Sequence, residues 1–248
     1  MDTKNVKDIK IANADTVKVM ANNEIWWQKN TVPGPSSLIG GNSQAGFYGE
    51  VPTSEFITGD ELARMIGLTA GTSQFSNEPW LKFSYLGKTE FIAKKTFRHS
   101  ISWDNLNDAN AVFGNRTIDI GGKTYKIRLM KGKTEGKQND SSSYQGTINH
   151  GSEWNKLLLP IHENAPSSWK QPRNVNSPTE NWDVGYIDND LLTISSAENG
   201  FRSWCQEYGE NTSYRLVRGS EDVSYSGGSP PSYYFRYYGW RPVLELVD

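Results

Sequence analysis

Three stretches of this chain share a pattern that few folds can use: apolar and polar side chains alternate, and the alternation breaks at a short turn. Val17, Val19 and Ala21 alternate with Lys18 and Met20 before Asn22-Asn23, and Glu24-Ile25-Trp26-Trp27 follows. Trp80-Leu81-Lys82-Phe83-Ser84-Tyr85 turns through Leu86-Gly87-Lys88 into Thr89-Glu90-Phe91-Ile92-Ala93, and Ile118-Asp119-Ile120 turns through Gly121-Gly122 into Tyr125-Lys126-Ile127-Arg128-Leu129. Asn and Gly tolerate positive φ, so these turns match the two-residue loops of antiparallel hairpins. Helical signals are few and short. Thr58-Gly59-Asp60-Glu61 reads as a capping box ahead of Leu62, Met65 and Ile66, with Gly67 as the stop. Ser152 is placed to cap a helix carrying Trp154, Leu157, Leu158 and Ile161 on one face, which Pro160 should end or kink. Hairpins mixed with two or three short helices predict an α+β fold, not a doubly wound sheet.

The hairpin at residues 1–30 stands apart from the rest. A lone two-stranded hairpin is marginal in water, so Trp26 and Trp27 require cover from the main domain or from another subunit. The segment 31–37, Thr-Val-Pro-Gly-Pro-Ser-Ser, suits neither helix nor strand and reads as a linker, leaving 38–248 as the main domain. Its 9 Trp, 12 Tyr and 9 Phe, less those in the hairpin, are ample for a core. Two polar segments, Gly132 to Gly151 and Glu163 to Asn181, read as long loops. A formal charge of -2 weighs against nucleic-acid binding, and no apolar run approaches the roughly 20 residues of a membrane helix. The polar start, MDTKNVKDIK, resembles no signal peptide, which leads us to expect synthesis and folding in a cytoplasm.

Chemistry-bearing residues are sparse. One Cys excludes an internal disulfide and a CxxC zinc site, and three scattered His lack HExxH spacing; we expect neither metal nor cofactor. Asp183, Asp188, Asp190 and Glu207 are the carboxylates from which a glycoside-hydrolase pair would have to come, although acids in polar loops are more often solvated. Cys205 with His150 or His162 is the corresponding thiol candidate, set against a buried Cys in an apolar alternation. Lys123, Lys126, Arg128, Lys131, Lys133 and Lys137 form a basic run, diluted by Glu135 and Asp140, that is either a solvated face or a contact for an acidic polymer. More informative is the segment 224–238, rich in Tyr, Ser and Gly around Pro230-Pro231. Its rings either form an adaptable recognition surface or fill the core beneath a loop. Tyr225, Tyr233, Tyr234, Arg236, Tyr237 and Tyr238 are the binding candidates, and Trp26 and Trp27 the docking candidates.

Ser203-Trp204, then Arg215-Leu216-Val217-Arg218-Gly219, the aromatic loop, and a closing Gly239-Trp240-Arg241 follow one another in the order of a known pattern. The last forty-five residues thereby resemble the C-terminal part of the formylglycine-generating-enzyme branch of the C-type lectin fold, which also holds phage tropism determinants. The pair of active-site cysteines is missing, since Cys205 stands alone, and Gln171-Pro172-Arg173 replaces the acid of the lectin calcium motif with a cation. The resemblance therefore implies a scaffold, with Gly219 and Gly239 in tight turns and Arg218 and Arg241 tying loops to the core. The N-terminal hairpin, Gly46-Phe47-Tyr48-Gly49-Glu50-Val51, Trp80-Leu81-Lys82-Phe83 and the ending 239–246 are similar to segments of tailed-phage virion proteins. This implies a tail-associated virion surface protein that is not an enzyme and contacts a host glycan or protein. Other virion proteins and a second copy of the chain are further candidate partners. A structural connector or decoration protein, and a glycan hydrolase, are the alternatives.

Overall fold

Leu86 and Gly87 adopt φ of 50° and 80°, and Gly121 and Gly122 adopt 57° and 79°, so both two-residue turns take the left-handed conformation their hairpins require. The computed structural model describes the backbone of residues 18–21 and 24–28, and residues 32–133, 152–163, 181–192, 199–209, 213–220, 222–223 and 225–247. Backbone contacts divide the chain into Met1–Val32 and Pro33–Asp248. In the first unit, β1 (Lys18–Ala21) and β2 (Glu24–Gln28) pair antiparallel, with Val19 opposite Trp27 and a bulge after Val19. The Asn22-Asn23 turn, Val17 and the side chains of Trp26 and Trp27 lie outside the described residues, as do His150, Lys137 and Gln171-Pro172-Arg173.

The second unit is mixed α+β and mostly sheet. Its strands begin with β3 (Gly40–Gly41), β4 (Ala45–Val51), β5 (Thr72–Ser73), β6 (Trp80–Tyr85), β7 (Lys88–Ala93), β8 (Arg98–His99), β9 (Phe113–Ile120) and β10 (Lys123–Leu129). They continue with β11 (Arg202–Tyr208), β12 (Arg215–Arg218), β13 (Ser226–Ser229), β14 (Tyr238–Trp240) and β15 (Pro242–Leu246). The larger sheet has the order β3-β4-β6-β7-β15-β10-β9, with every pair antiparallel. The smaller has the order β13-β12-β11-β14-β8-β5, where β11 and β14 alone are parallel. Arg241 by itself separates β14 from β15, so the chain passes from the interior of one sheet to the interior of the other within one residue. The segment between β7 and β8 crosses alongside it, and the Phe97 amide donates to the Trp240 carbonyl at 2.9 Å.

Four helices are present among the described residues: α1 (Gly59–Met65), α2 (Trp103–Asp108), α3 (Glu153–Ile161) and α4 (Asp188–Leu191). Thr58 caps α1 by accepting from the Glu61 amide at 3.1 Å, and Gly67 ends it at φ 65°. The Glu61 carboxylate lies 3.9 Å from Arg64. The reciprocal capping box belongs to α2, where Ser102 Oγ accepts from the Asn105 amide and the Ser102 amide donates to Asn105 Oδ1. Ser152 caps α3, but the helix continues through Pro160 to Ile161 and is buried nearly all round, not on one face.

Strand β6 is covered on both faces, so its alternation does not separate a buried face from an exposed one. Leu81, Phe83 and Tyr85 join Phe47, Ile92 and Val243 under Trp154, Leu157, Leu158 and Ile161 of α3. On the other face Trp80 meets Phe56 and Phe97, and Lys82 donates to the Pro35 carbonyl at 2.7 Å while its ammonium lies 5.3 Å from the centre of the Tyr48 ring. Period two survives in direction, and burial hides it.

Candidate functional site

The connection between β13 and β14 is a loop built on two turns. The Tyr233 amide donates to the Pro230 carbonyl at 3.1 Å and the Tyr238 amide to the Phe235 carbonyl at 3.0 Å. Its flanks are tied to neighbours: the Pro231 carbonyl accepts from Asp104 in α2 at 3.1 Å, Arg236 from Gly200 at 2.7 Å, and Tyr237 from Arg202 in β11 at 2.9 Å. With its backbone polar groups so engaged, the loop is held in place while its side chains face solvent. Tyr234 is 69% exposed, Phe235 57%, Tyr233 42% and Tyr237 39%, and Arg236 is exposed as well.

Tyr238 departs from that set, and the expectation that it belongs to a binding face is corrected. It is 4% exposed, stacks on Trp204 at 4.8 Å and shares a 2.5 Å hydrogen bond with Ser229. A ring at the start of an interior strand has core on its inner side, which is why sequence position alone misassigned it. Tyr225 is half-buried against the Arg202 guanidinium, 5.6 Å from its ring centre. The rings form one continuous chain: Tyr234 to Phe235 at 6.2 Å, Phe235 to Tyr233 at 5.3 Å, and Tyr233 to Tyr238 at 6.5 Å. Arg202 then lies 5.9 Å from Tyr238 and 5.8 Å from Phe201, which meets Tyr237 at 5.2 Å, and Arg236 sits over Tyr237 at 5.3 Å. The sequence reading missed Phe235, Phe201 and Arg202. Phe235 stood inside the quoted loop, whereas Phe201-Arg202 offered no signal beyond an aromatic beside a cation.

A second cation is sandwiched nearby in sequence. Arg215 lies 3.7 Å from the centre of the Trp103 ring and 3.8 Å from that of the exposed Tyr208. Cation–π contact, stronger where water is excluded, holds such guanidinium groups flat without neutralising them.

Three of the carboxylates proposed from sequence accept from backbone amides. Asp188 Oδ1 accepts from the Val223 amide at 2.7 Å and lies 3.3 Å from His162 Nε2. Asp190 accepts from the Ile187 amide at 2.9 Å, Glu207 from the Gly132 amide at 3.0 Å, and Asp183 is an exposed residue at φ 54°. Three of the four therefore terminate backbone groups. Cys205 is fully buried and burial pushes its thiol well above the usual range, which leaves little thiolate for nucleophilic attack.

Arg128 leaves the proposed basic face altogether. It is buried, bidentate to Glu153 at 2.9 Å and 2.9 Å, and 2.5 Å from Glu90. Arg218 and Arg241 are also fully buried. Arg218 donates to the carbonyls of Tyr225 and Gly132 and to Asn155 Oδ1, and Arg241 donates to the Leu191 carbonyl. Both guanidinium groups lie by Trp154, at 5.6 Å and 5.1 Å. Gly219 turns at φ 71°, as expected. Gly239 does not turn: it lies in β14, where a Cβ would come within 2.7 Å of Thr96 Cγ2.

Among the described residues no cluster of His, Cys, Asp and Glu is arranged to hold a metal ion, and no helix is long and apolar enough to cross a membrane. No protein-family model, curated protein or solved structure matches the chain.

Proposed function

We propose that this chain is a virion surface protein of a tailed phage, associated with the tail and contacting the host through a C-type-lectin-like domain at 38–248. Residues 1–30 dock it on another virion protein through Trp26 and Trp27, with 31–37 as the linker. The observation that carries the host-contact reading is the set of four exposed rings, Tyr233, Tyr234, Phe235 and Tyr237, on a loop whose backbone is tied to α2 and β11. Large rigid side chains on a held backbone lose little entropy on binding, which is the economy recognition loops exploit. Support for the lectin-like scaffold comes from Trp204, Arg218, Trp240 and Arg241, the residues that carry the sequence resemblance, all of which are buried. The role proposed is binding: Asp188, Asp190 and Glu207 each accept from a backbone amide, and Asp183 is exposed to solvent.

Host adsorption tests this directly. Tyr234→Ala and Phe235→Ala, whose rings rest on exposed neighbours, should weaken adsorption at unchanged melting temperature, whereas Tyr238→Ala should lower the melting temperature. Normal adsorption by the first two variants would return the chain to a connector or decoration role. Release of reducing ends from host cell walls, abolished by Asp188→Asn or Glu207→Gln, would instead make it a hydrolase.

A further inference from the structure

The aromatic surface carries charge that nothing in the described structure neutralises. Arg202 Nε is buried without a hydrogen-bond acceptor, and its guanidinium is surrounded by Phe201, Tyr225 and Tyr238 at 5.6 to 5.9 Å. Arg236 is exposed beside Tyr237. Neither arginine forms an ion pair among the described residues, in contrast to Arg64, Arg98 and Arg128, each of which has a carboxylate partner. Both belong to the continuous chain of rings that ends in Tyr234 and Phe235.

We infer that this surface takes an acidic polysaccharide, whose pyranose rings lie on the exposed aromatic faces while its carboxylates pair with Arg202 and Arg236. The inference rests on the host-contact reading and names the chemistry of the ligand. Charge complementarity sets the sign: two guanidinium groups without carboxylates call for an anion, and the planar fork of arginine matches a carboxylate with two parallel hydrogen bonds. The rings set the rest. Tyr234 and Phe235 stack within 14° of parallel with centroids 6.2 Å apart, and the two residues are 69% and 57% exposed, so flat ring surface is open to solvent beside the arginines. A polymer of sugar rings offers repeated flat C–H faces to cover such a pair and hydroxyls for the tyrosine O–H groups. An acidic peptide would satisfy the arginines and has no repeating ring to lay on the exposed aromatic surface.

The test uses the full chain and equilibrium binding to polygalacturonate, hyaluronate and polysialate, each compared with its carboxyl-reduced neutral form, and to poly-L-glutamate. At least one acidic polysaccharide should bind about tenfold or more tightly than its reduced form and than poly-L-glutamate. Added salt should weaken that binding, because the ion pairs are partly exposed. Arg236→Gln should weaken it at unchanged melting temperature. Arg236→Lys should recover part of it, and Tyr234→Ala should weaken binding to acidic and reduced forms alike. Equal binding of acidic and reduced polymers would overturn the inference in favour of neutral stacking. Poly-L-glutamate binding as tightly would overturn it in favour of an acidic peptide, and failure of all three polysaccharides would overturn it outright. Host adsorption by Tyr234→Ala is read separately: adsorption lost in that variant, with no polysaccharide bound, removes the ligand class and leaves the host-contact reading standing.

Discussion

Arg128 gathers three carboxylates where the larger sheet meets the first turn of α3: Glu90 at 2.5 Å, Glu153 at 2.9 Å and Glu245 at 3.2 Å. Burial and the neighbouring Glu153 charge push Glu90 well above the usual carboxylate range. Burial works the same way on Glu153, but the Arg128 charge and hydrogen bonds outweigh it and hold Glu153 low. Burial thus disfavours the charge on Glu90, while Arg128 favours the charge on Glu153. Arg128→Met should therefore cost about 3–5 kcal/mol in denaturant unfolding, since it strands buried carboxylates. Glu90→Gln should cost less than Glu153→Gln, because burial disfavours the Glu90 charge whereas the Glu153 carboxylate accepts two bonds from Arg128 and one from the Lys131 amide. Glu207 supplies a pH dependence. Burial raises its pKa to about 7, from the usual 4.5, so between those values the folded chain binds a proton that the unfolded chain has released. Its contribution is greatest below pH 4.5 and is lost as pH rises through about 7. Glu207→Gln should accordingly raise the melting temperature relative to wild type at pH 8, with little difference at pH 4.5, and an equal shift at both would contradict the assignment.

Caps and turns decide the individual elements. The α2 helix has only Trp103 and Leu106 buried, so its reciprocal Ser102–Asn105 cap supplies a large share of its local definition. Ser102→Ala should cost about 1 kcal/mol, read as a shift in denaturant midpoint at constant slope. At the tip of the third hairpin, Gly122 sits at φ 79°. Gly122→Ala should cost about 1–2 kcal/mol for the left-handed conformation alone. The edge strand β9 is eight residues long and, among the described residues, paired only with β10, an arrangement prone to adding further strands. A bulge at its start, where Gly114 adopts φ 77°, and the Arg116 bonds to the carbonyls of Met65, Ile66 and Ala109 interrupt that edge.

At the scale of the whole molecule, the order of strands along the chain and in space differ in a way that sets cooperativity. The last strand, β15, lies between β7 and β10, and β14 lies between β11 and β8. Both sheets therefore close only when residues 238–246 arrive. A chain ending at Trp240 should lack native near-ultraviolet dichroism and a cooperative melting transition, because its larger sheet is cut in two. Deleting residues 1–30 should instead leave a cooperatively folding domain, since backbone contacts group Met1–Val32 separately from Pro33–Asp248, and under the docking role proposed above that domain should no longer join the particle. Wild-type incorporation of the truncated chain would refute the docking role.

The three hairpins were legible because their information is local: alternation and a turn of Gly or Asn residues lie within a dozen neighbouring positions. Thr58, Gly67 and Ser152 were legible for the same reason, each acting on backbone amides or conformation in its own turn. The α2 helix was not, because Asn105 in place of Glu or Gln weakens the capping signature and only two apolar residues mark its inner face. What lies on the second face of a strand is not written in that strand, so the burial of Lys82 and Ser84 in β6 depended on segments distant in sequence. The same holds for the candidate site. Composition marked 224–238 as aromatic and adaptable, but whether a given ring faced water or core followed from pairing with distant strands. Tyr238 went inward because β14 is inserted between β11 and β8, while Tyr234 and Phe235 stayed outside on the turn before it. Local sequence determined the hairpins, caps and turns through short-range backbone energetics. Long-range packing alone decided the strand order, the buried charge cluster and the pairing of Arg202 with the aromatic loop.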